Sequence, residues 1–254
     1  MVPSLEREET LKRCLRSLEL QSFKDFEILI DREKDGLAKV RNRLASKATG
    51  DILVFIDDDV TCSSDWLKTI ASVFDSSRTI AGVSGPAIVP KESRPNRDIF
   101  RYVQIKEFYD YFFCDGRQSL PGHITSSGAW TTGASLETCS YEGSVDFLEA
   151  CNMAFRRDLF LKVGGFDESY KGCGDWSEPD ICYKLKRLGF ELYFHPKAKV
   201  YHNLAPLQNY KAGKKQFGTR LDNYELLSKR WIKPHWKHTL YKLFMIGYYK
   251  WKSL

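Results

Sequence analysis

The sequence predicts an α/β fold with a mainly parallel central sheet and helices on both faces. Three observations predict it. Apolar, strand-like runs alternate with segments of helical period over residues 1–90. The run Ile52-Leu53-Val54-Phe55-Ile56 is uninterrupted, as in a strand covered on both faces. The 254 residues, 43% hydrophobic and 14% aromatic, are enough to bury a sizeable core, which excludes a disordered chain.

The elements follow in order. Leu11, Cys14, Leu15 and Leu18 recur at helical spacing and predict a helix over Glu8–Leu20. Phe26–Ile30 is a short strand candidate ending in Asp31, and Gly36–Lys47 is helical, with Leu37, Val40 and Leu44 on one side. The strand Ile52–Ile56 runs directly into Asp57-Asp58-Asp59. A helix over Asp65–Phe74 has Ser63 or Ser64 placed to cap it. Ile80–Val83 and Ala87–Val89 are the next strands, and Asp98–Phe113 is an aromatic helix followed by Gly-, Ser- and Thr-rich chain. Regular structure returns with Val145–Phe155, the helices Arg157–Val163 and Pro179–Leu188, and the strands Glu191–Phe194 and Lys199–Tyr201. Ligands of such sheets sit at the carboxyl ends of strands, where Asp31 and the three aspartates fall.

Charge divides the chain in two. Net charge is +6, yet residues 206–254 hold eleven Lys or Arg against Asp222 and Glu225, a net of +9 that leaves residues 1–205 at −3. A main domain over 1–205 and a basic, aromatic helical extension over 206–254 are expected. Within the extension, lysines alternate with Trp231, Trp236, Tyr241, Phe244, Tyr248 and Trp251. A helix packing its rings on the domain explains this pattern, and so does an anionic membrane surface engaged through 229–254; nucleic acid is the least expected partner. No apolar run approaches the roughly 20 residues of a bilayer-spanning helix, and the N-terminus has no apolar signal core. Seven scattered cysteines without a CxxC pair read as structural thiols. A cytoplasmic protein is expected, at the cytoplasmic face of a membrane if the extension meets lipid.

Three adjacent carboxylates at a strand end repel one another. A bound Mg²⁺ or Mn²⁺, which favours oxygen ligands, relieves that repulsion. The segments LKRCLRSLELQ, FEILID, AKVRNRLASKATGDILVFIDDDV, CNMAFRRDLFLKVGGFDE, EPDICYKLKRLGFEL and HPKAKVYH, in this order, resemble the family-2 inverting glycosyltransferases of the GT-A fold over roughly residues 2–202.

The resemblance implies a GT-A (Rossmann-like nucleotide-diphospho-sugar transferase) fold, and sugar transfer from a nucleotide-diphosphate donor, UDP-linked by preference, to a glycan or lipid-linked acceptor. It implies that Asp31 hydrogen-bonds the donor's base, that Arg41 lies near the nucleotide, and that Asp57 sits by the ribose and diphosphate. Pro3 and Asp58 join that donor side. Asp59 binds the Mn²⁺ or Mg²⁺, with His202 as a further ligand or diphosphate contact. The family's base falls on Glu178 when the chains are aligned on Asp180-Ile181-Cys182, with Asp180 in reserve and Ser177 replacing the preceding acid. Charge compensation at a helix N-terminus explains the same two acids without catalysis. Asn152, Asp175 and Trp176 are implied on the acceptor side, where Trp176 can stack on a sugar, and residues 94–145, with Tyr102, Phe108, Tyr109, Tyr111, Phe112 and Phe113, shape that site.

The family opens with a full apolar strand, and here only Met1-Val2 precede Pro3. An inactive GT-A scaffold is therefore an alternative. A haloacid-dehalogenase-like phosphatase is another, since Asp57-Asp58-Asp59-Val60-Thr61 imitates its strand-end motif.

Overall fold

Strands and helices alternate as β1 (Val2–Pro3), α1 (Glu8–Glu19), β2 (Ile30–Asp31), α2 (Leu37–Lys47), β3 (Ile52–Phe55), β4 (Val60–Cys62), α3 (Trp66–Ser76), β5 (Ile80–Ser84) and β6 (Ala87–Ile88). Then follow α4 (Val103–Phe113), β7 (Pro121–Ile124), β8 (Trp130–Thr132), β9 (Gly143–Ser144), β10 (Met153–Arg156), α5 (Arg157–Lys162), α6 (Ser177–Arg187), β11 (Glu191–Phe194), β12 (Val200–His202), α7 (Gly213–Trp231) and α8 (Lys237–Lys252). The computed structural model describes residues 1–4, 7–93, 103–133, 136–172, 174–203, 213–233 and 235–252. Tyr102, Cys173, the start of the expected Asp98–Phe113 helix and the expected boundary at 205/206 lie outside them.

The main ladder runs β3-β10-β5-β11-β9. Its pair β5–β11 is parallel, whereas β10 inserts antiparallel between β3 and β5, and β9 closes the edge antiparallel. The parallel pair β1–β2 continues this sheet on the other side. The Met1 ammonium donates to the Val54 carbonyl at 2.8 Å, and the Ile56 N–H donates to the Met1 carbonyl at 3.2 Å, which is the parallel pattern. Thus β2, β1, β3, β5 and β11 share a direction and β10 and β9 oppose it. The expected mainly parallel sheet holds, with an antiparallel strand at its centre where Val145–Phe155 was expected to be regular.

The first strand is short but occupies its place between β2 and β3. Of the expected strand Phe26–Ile30, only Ile30 pairs, because β1 offers it only Val2 and Pro3. Residues 26–29 border instead an apolar cavity of about 320 Å³, together with Met1, Ile52 and Val54.

Side chains of β3 alternate between two cores, as its pleat requires. Leu53 and Phe55 join Phe155, Phe160 and Phe166 on one face, and Ile56 joins Leu11, Trp66, Ile70 and Phe74 on the other. The start of α3 is satisfied from outside the helix. Neither Ser63 nor Ser64 caps it with a side chain; the Leu67 N–H donates to the Gln21 carboxamide oxygen at 3.0 Å. A third core holds Phe113, Trp176, Tyr224, Tyr241 and Met245, and binds α4, α7 and α8 together. Cys14, Cys62, Cys114, Cys139, Cys151 and Cys182 are free thiols.

Candidate active site

The acidic turn begins where β3 ends, and its three carboxylates meet three fates. Asp58 is completely buried; it accepts from the Ser4 hydroxyl at 2.7 Å and pairs with Arg7. It fastens the turn to the end of β1, so its expected place against the donor is corrected: no part of it faces the cleft. Asp57 stays partly exposed, with Arg41 at 3.5 Å. Asp59 accepts from Arg7 at 2.8 Å, and His202 Nε2 lies 3.2 Å from its other oxygen. The strand pairing brings His202 there, because β12 runs antiparallel to β4 with His202 opposite Val60, one residue past Asp59.

Asp57, Asp59 and His202 each offer a ligand atom, and these atoms lie within 4.8 Å of one another. Two hard oxygens and an imidazole nitrogen suit a divalent cation. The electrostatics favour one too. Burial pushes the Asp57 carboxyl up, and Asp59 adds repulsion against Arg41 and His202. Burial lowers His202, but its bond to Asp59 and the surrounding carboxylates outweigh this and hold it above its usual value.

Helix α6 supplies the second half of the site. Glu178, in its first turn, is buried and accepts from Arg41 Nη1 at 2.5 Å. Arg41, fully enclosed, also donates to the Ala150 carbonyl at 3.0 Å. It therefore bridges Glu178 to the acidic turn. Burial raises the Glu178 carboxyl above the usual range, while Arg41 pulls it down. Such a carboxylate is a stronger proton acceptor than a free one.

Residues 15–233 match the family described as Glycosyltransferase like family 2. The chain belongs to this family. It is 25% identical over 232 residues to the glucosyl-dolichyl phosphate glucuronosyltransferase of Haloferax volcanii, covering 79% of this chain and 66% of that relative. The fold is that of GT-A glycosyltransferases. It superimposes on GalNAc-T7 with UDP, GalNAc and Mn²⁺ at a TM-score of 0.61, with 17% identity over 91% of this chain and 47% of that one. The mannosyltransferase PcManGT of Pyrobaculum calidifontis, in complex with GDP-Man and Mn²⁺, gives 0.57, with 14% identity over 98% of this chain and 68% of that one. Membership in the family displaces the phosphatase alternative.

Other residues expected from the family's pattern divide clearly. Pro3 pairs in register with Asp31 at the carboxyl ends of β1 and β2. Arg43 holds both Asp31 oxygens, at 2.6 and 2.9 Å, and keeps that carboxyl below its usual range. Asn152 does not reach an acceptor: it is fully buried, accepts from the Trp66 indole at 2.9 Å and donates to the Gly85 and Ala198 carbonyls. Asp180 is no reserve base. Completely buried, it is held by the Trp231 indole at 2.6 Å, Lys184 at 2.9 Å, Tyr170 and Arg230, and it ties α7 to α6. Asp175 pairs with Arg220 at 2.8 Å, and Trp176 packs on Trp130 with ring centroids 4.3 Å apart.

Three site residues escaped the sequence reading. Arg7 lies outside the segments that carry the family resemblance, and Arg43 lies two residues from Arg41 on the same helix with nothing in the order of residues to distinguish it. Glu149 is exposed, yet it stands near enough to Glu178, His202 and Asp57 for their charges to act on it, and its carboxyl is raised by desolvation and then by Glu178. Only its position just before the CNMAF segment hinted at it.

Proposed function

We propose that the protein transfers a sugar, with inversion, from a nucleotide-diphosphate donor to a hydroxyl of a glycan or lipid-linked acceptor. The observation that carries this reading is the convergence of Asp57, Asp59 and His202 on one point, joined to Glu178 through Arg41. Glu178 takes the proton of the acceptor hydroxyl as its oxygen attacks the anomeric carbon. The bond to the diphosphate breaks on the opposite face, and the leaving oxygen keeps the electron pair. Asp57, Asp59 and His202 would hold Mn²⁺ or Mg²⁺, which would supply positive charge beside the leaving diphosphate. Arg41 fixes the Glu178 carboxylate and works against the burial that raises it. Asp31 and Pro3 border the nucleotide, for which a UDP-sugar is preferred.

A panel of UDP- and GDP-sugars with Mn²⁺, followed by release of the free nucleotide, tests this reading. Release from one donor, lost in Glu178→Gln, supports it. Equal release by the variant removes Glu178 from the chemistry.

The extension adds a membrane-facing element to the proposal. Leu240 and Leu243 are exposed at helical spacing on α8, Trp236 is exposed just before the helix, and Lys233 is exposed three residues earlier in the chain. Among the described residues, no helix is long and apolar enough to cross a membrane. Loss of cosedimentation with anionic vesicles in Trp236→Ser/Leu240→Ser supports a surface seat, and unchanged cosedimentation refutes it.

A further inference from the structure

The residue before α6 has an uncommon backbone. Trp176 has φ +77°, in the left-handed region that non-glycine residues seldom adopt. Such a conformation persists where packing overrules it, and here the indole is clasped by Trp130, at 4.3 Å between ring centroids, and Tyr224, at 5.3 Å. Glu178, two residues on, meets Arg41 in the donor cleft. One turn of chain thus serves two compartments.

The second compartment is a cavity of about 260 Å³ walled by Trp130, Trp176, Leu221, Phe244, Met245 and Tyr248. Asp175 and Arg220, paired at 2.8 Å, form its partly exposed rim. The rim lies close enough to the site that the Asp175 charge acts on Glu178. Two more lining residues, Tyr109 and Tyr241, hydrogen-bond each other through their hydroxyls. A sugar ring needs several polar partners, and here Asp175 and Arg220 hold each other, as do the Tyr109 and Tyr241 hydroxyls, while most of the wall is rings, leucine and methionine.

We propose that this cavity seats the apolar chain of an amphiphilic acceptor, next to the hydroxyl that Glu178 deprotonates, which makes the acceptor lipid-linked. The inference rests on Glu178 being the base. The cavity is slightly below the roughly 300–1,000 Å³ of small-molecule sites, so it holds the first units of a chain whose remainder must leave it. Helix α8 supplies the exit: Met245 and Phe244 line the cavity, while Leu240 and Leu243 of the same helix stand exposed. Methionine and aromatic walls adapt to a branched isoprenoid or a straight alkyl chain alike.

The test is calorimetric titration of the full chain with farnesyl phosphate below its aggregation concentration, beside inorganic phosphate and maltose. Saturable binding of farnesyl phosphate alone is expected. Met245→Trp, which fills the cavity, should bind it about tenfold more weakly while melting no lower than wild type; Leu221→Phe repeats the test should Met245→Trp fail to fold. Filled variants that bind like wild type overturn the proposal, as does full competition by inorganic phosphate or a preference for maltose. UDP with Mn²⁺, titrated into wild type in parallel, separates the two readings. Chain binding without nucleotide binding leaves the cavity and removes the transferase; nucleotide binding without chain binding removes the cavity proposal alone.

Discussion

The two sides of helix α6 are built on opposite principles. Toward the sheet, charge is dense and each carboxylate has a definite neighbour: Arg7 for Asp58 and Asp59, Arg41 for Asp57 and Glu178, His202 for Asp59. Toward α7 and α8, rings pack on rings, and Asp180, with its surrounding donors, is the principal buried charge. Strand ends bring charges together because hydrogen-bond register fixes their positions to fractions of an ångström. Helix packing brings apolar surfaces together by area. The donor side should therefore fail by losing chemistry, and the aromatic side by losing stability.

The largest expected effect is on chemistry. Glu178→Gln should lower turnover by about 10²–10⁴-fold, the contribution of a positioned general base, with UDP binding in the presence of Mn²⁺ retained by calorimetry. Because burial raises the Glu178 carboxyl, the acid limb of the wild-type kcat profile should stand above the usual carboxylate range. A variant that loses both binding and turnover would merge the two halves of the site.

Asp180→Ala should act the other way. It removes the shared partner of Trp231, Lys184 and Arg230, and Lys184 and Arg230 can turn to water, so the cost is about 2 kcal/mol, below that of a fully enclosed pair. Thermal unfolding should detect it, with UDP affinity unchanged. Asn152→Ala sits beneath the sheet and strands the Trp66 indole N–H and two carbonyls. A loss of about 1–3 kcal/mol is expected from the unfolding midpoint in urea, with turnover per folded molecule preserved. A specific change in acceptor KM would return Asn152 to the acceptor side.

The smallest effect is a pH dependence of the helix anchor. Burial alone would raise Asp167, but the Ser169 backbone N–H and the Arg230 guanidinium reverse this and bring it from 3.8 to about 2. A folded value below the unfolded one stabilises the protein above the unfolded pKa, and the contribution is lost as pH falls toward about 2. Denaturation series at successive pH values should show this loss in wild type and a flatter profile in Asp167→Asn.

The acidic cluster was largely legible in the sequence because its aspartates are contiguous and follow an apolar strand. Asp57, Asp59, Glu178 and His202 could be marked from residue order. What order did not show was orientation: Asp58, flanked by two cleft residues, turns inward to Ser4 and Arg7. Arg41 and Arg43 are two residues apart on α2, and the one expected at the nucleotide is buried. The central antiparallel β10 was also hidden, since apolar runs carry no direction. The aromatic side was legible only as composition. Its walls come from residues 130, 176, 221 and 245, among others, and no local period connects positions so far apart.

Calorimetric binding of UDP and of GDP, each with and without Mn²⁺, to wild type and Asp59→Ala tests the central claim most directly. The account predicts metal-dependent binding of one nucleotide, UDP by preference, weakened at least about a hundredfold by the substitution. Binding that ignores Mn²⁺, or that survives in Asp59→Ala, would contradict it.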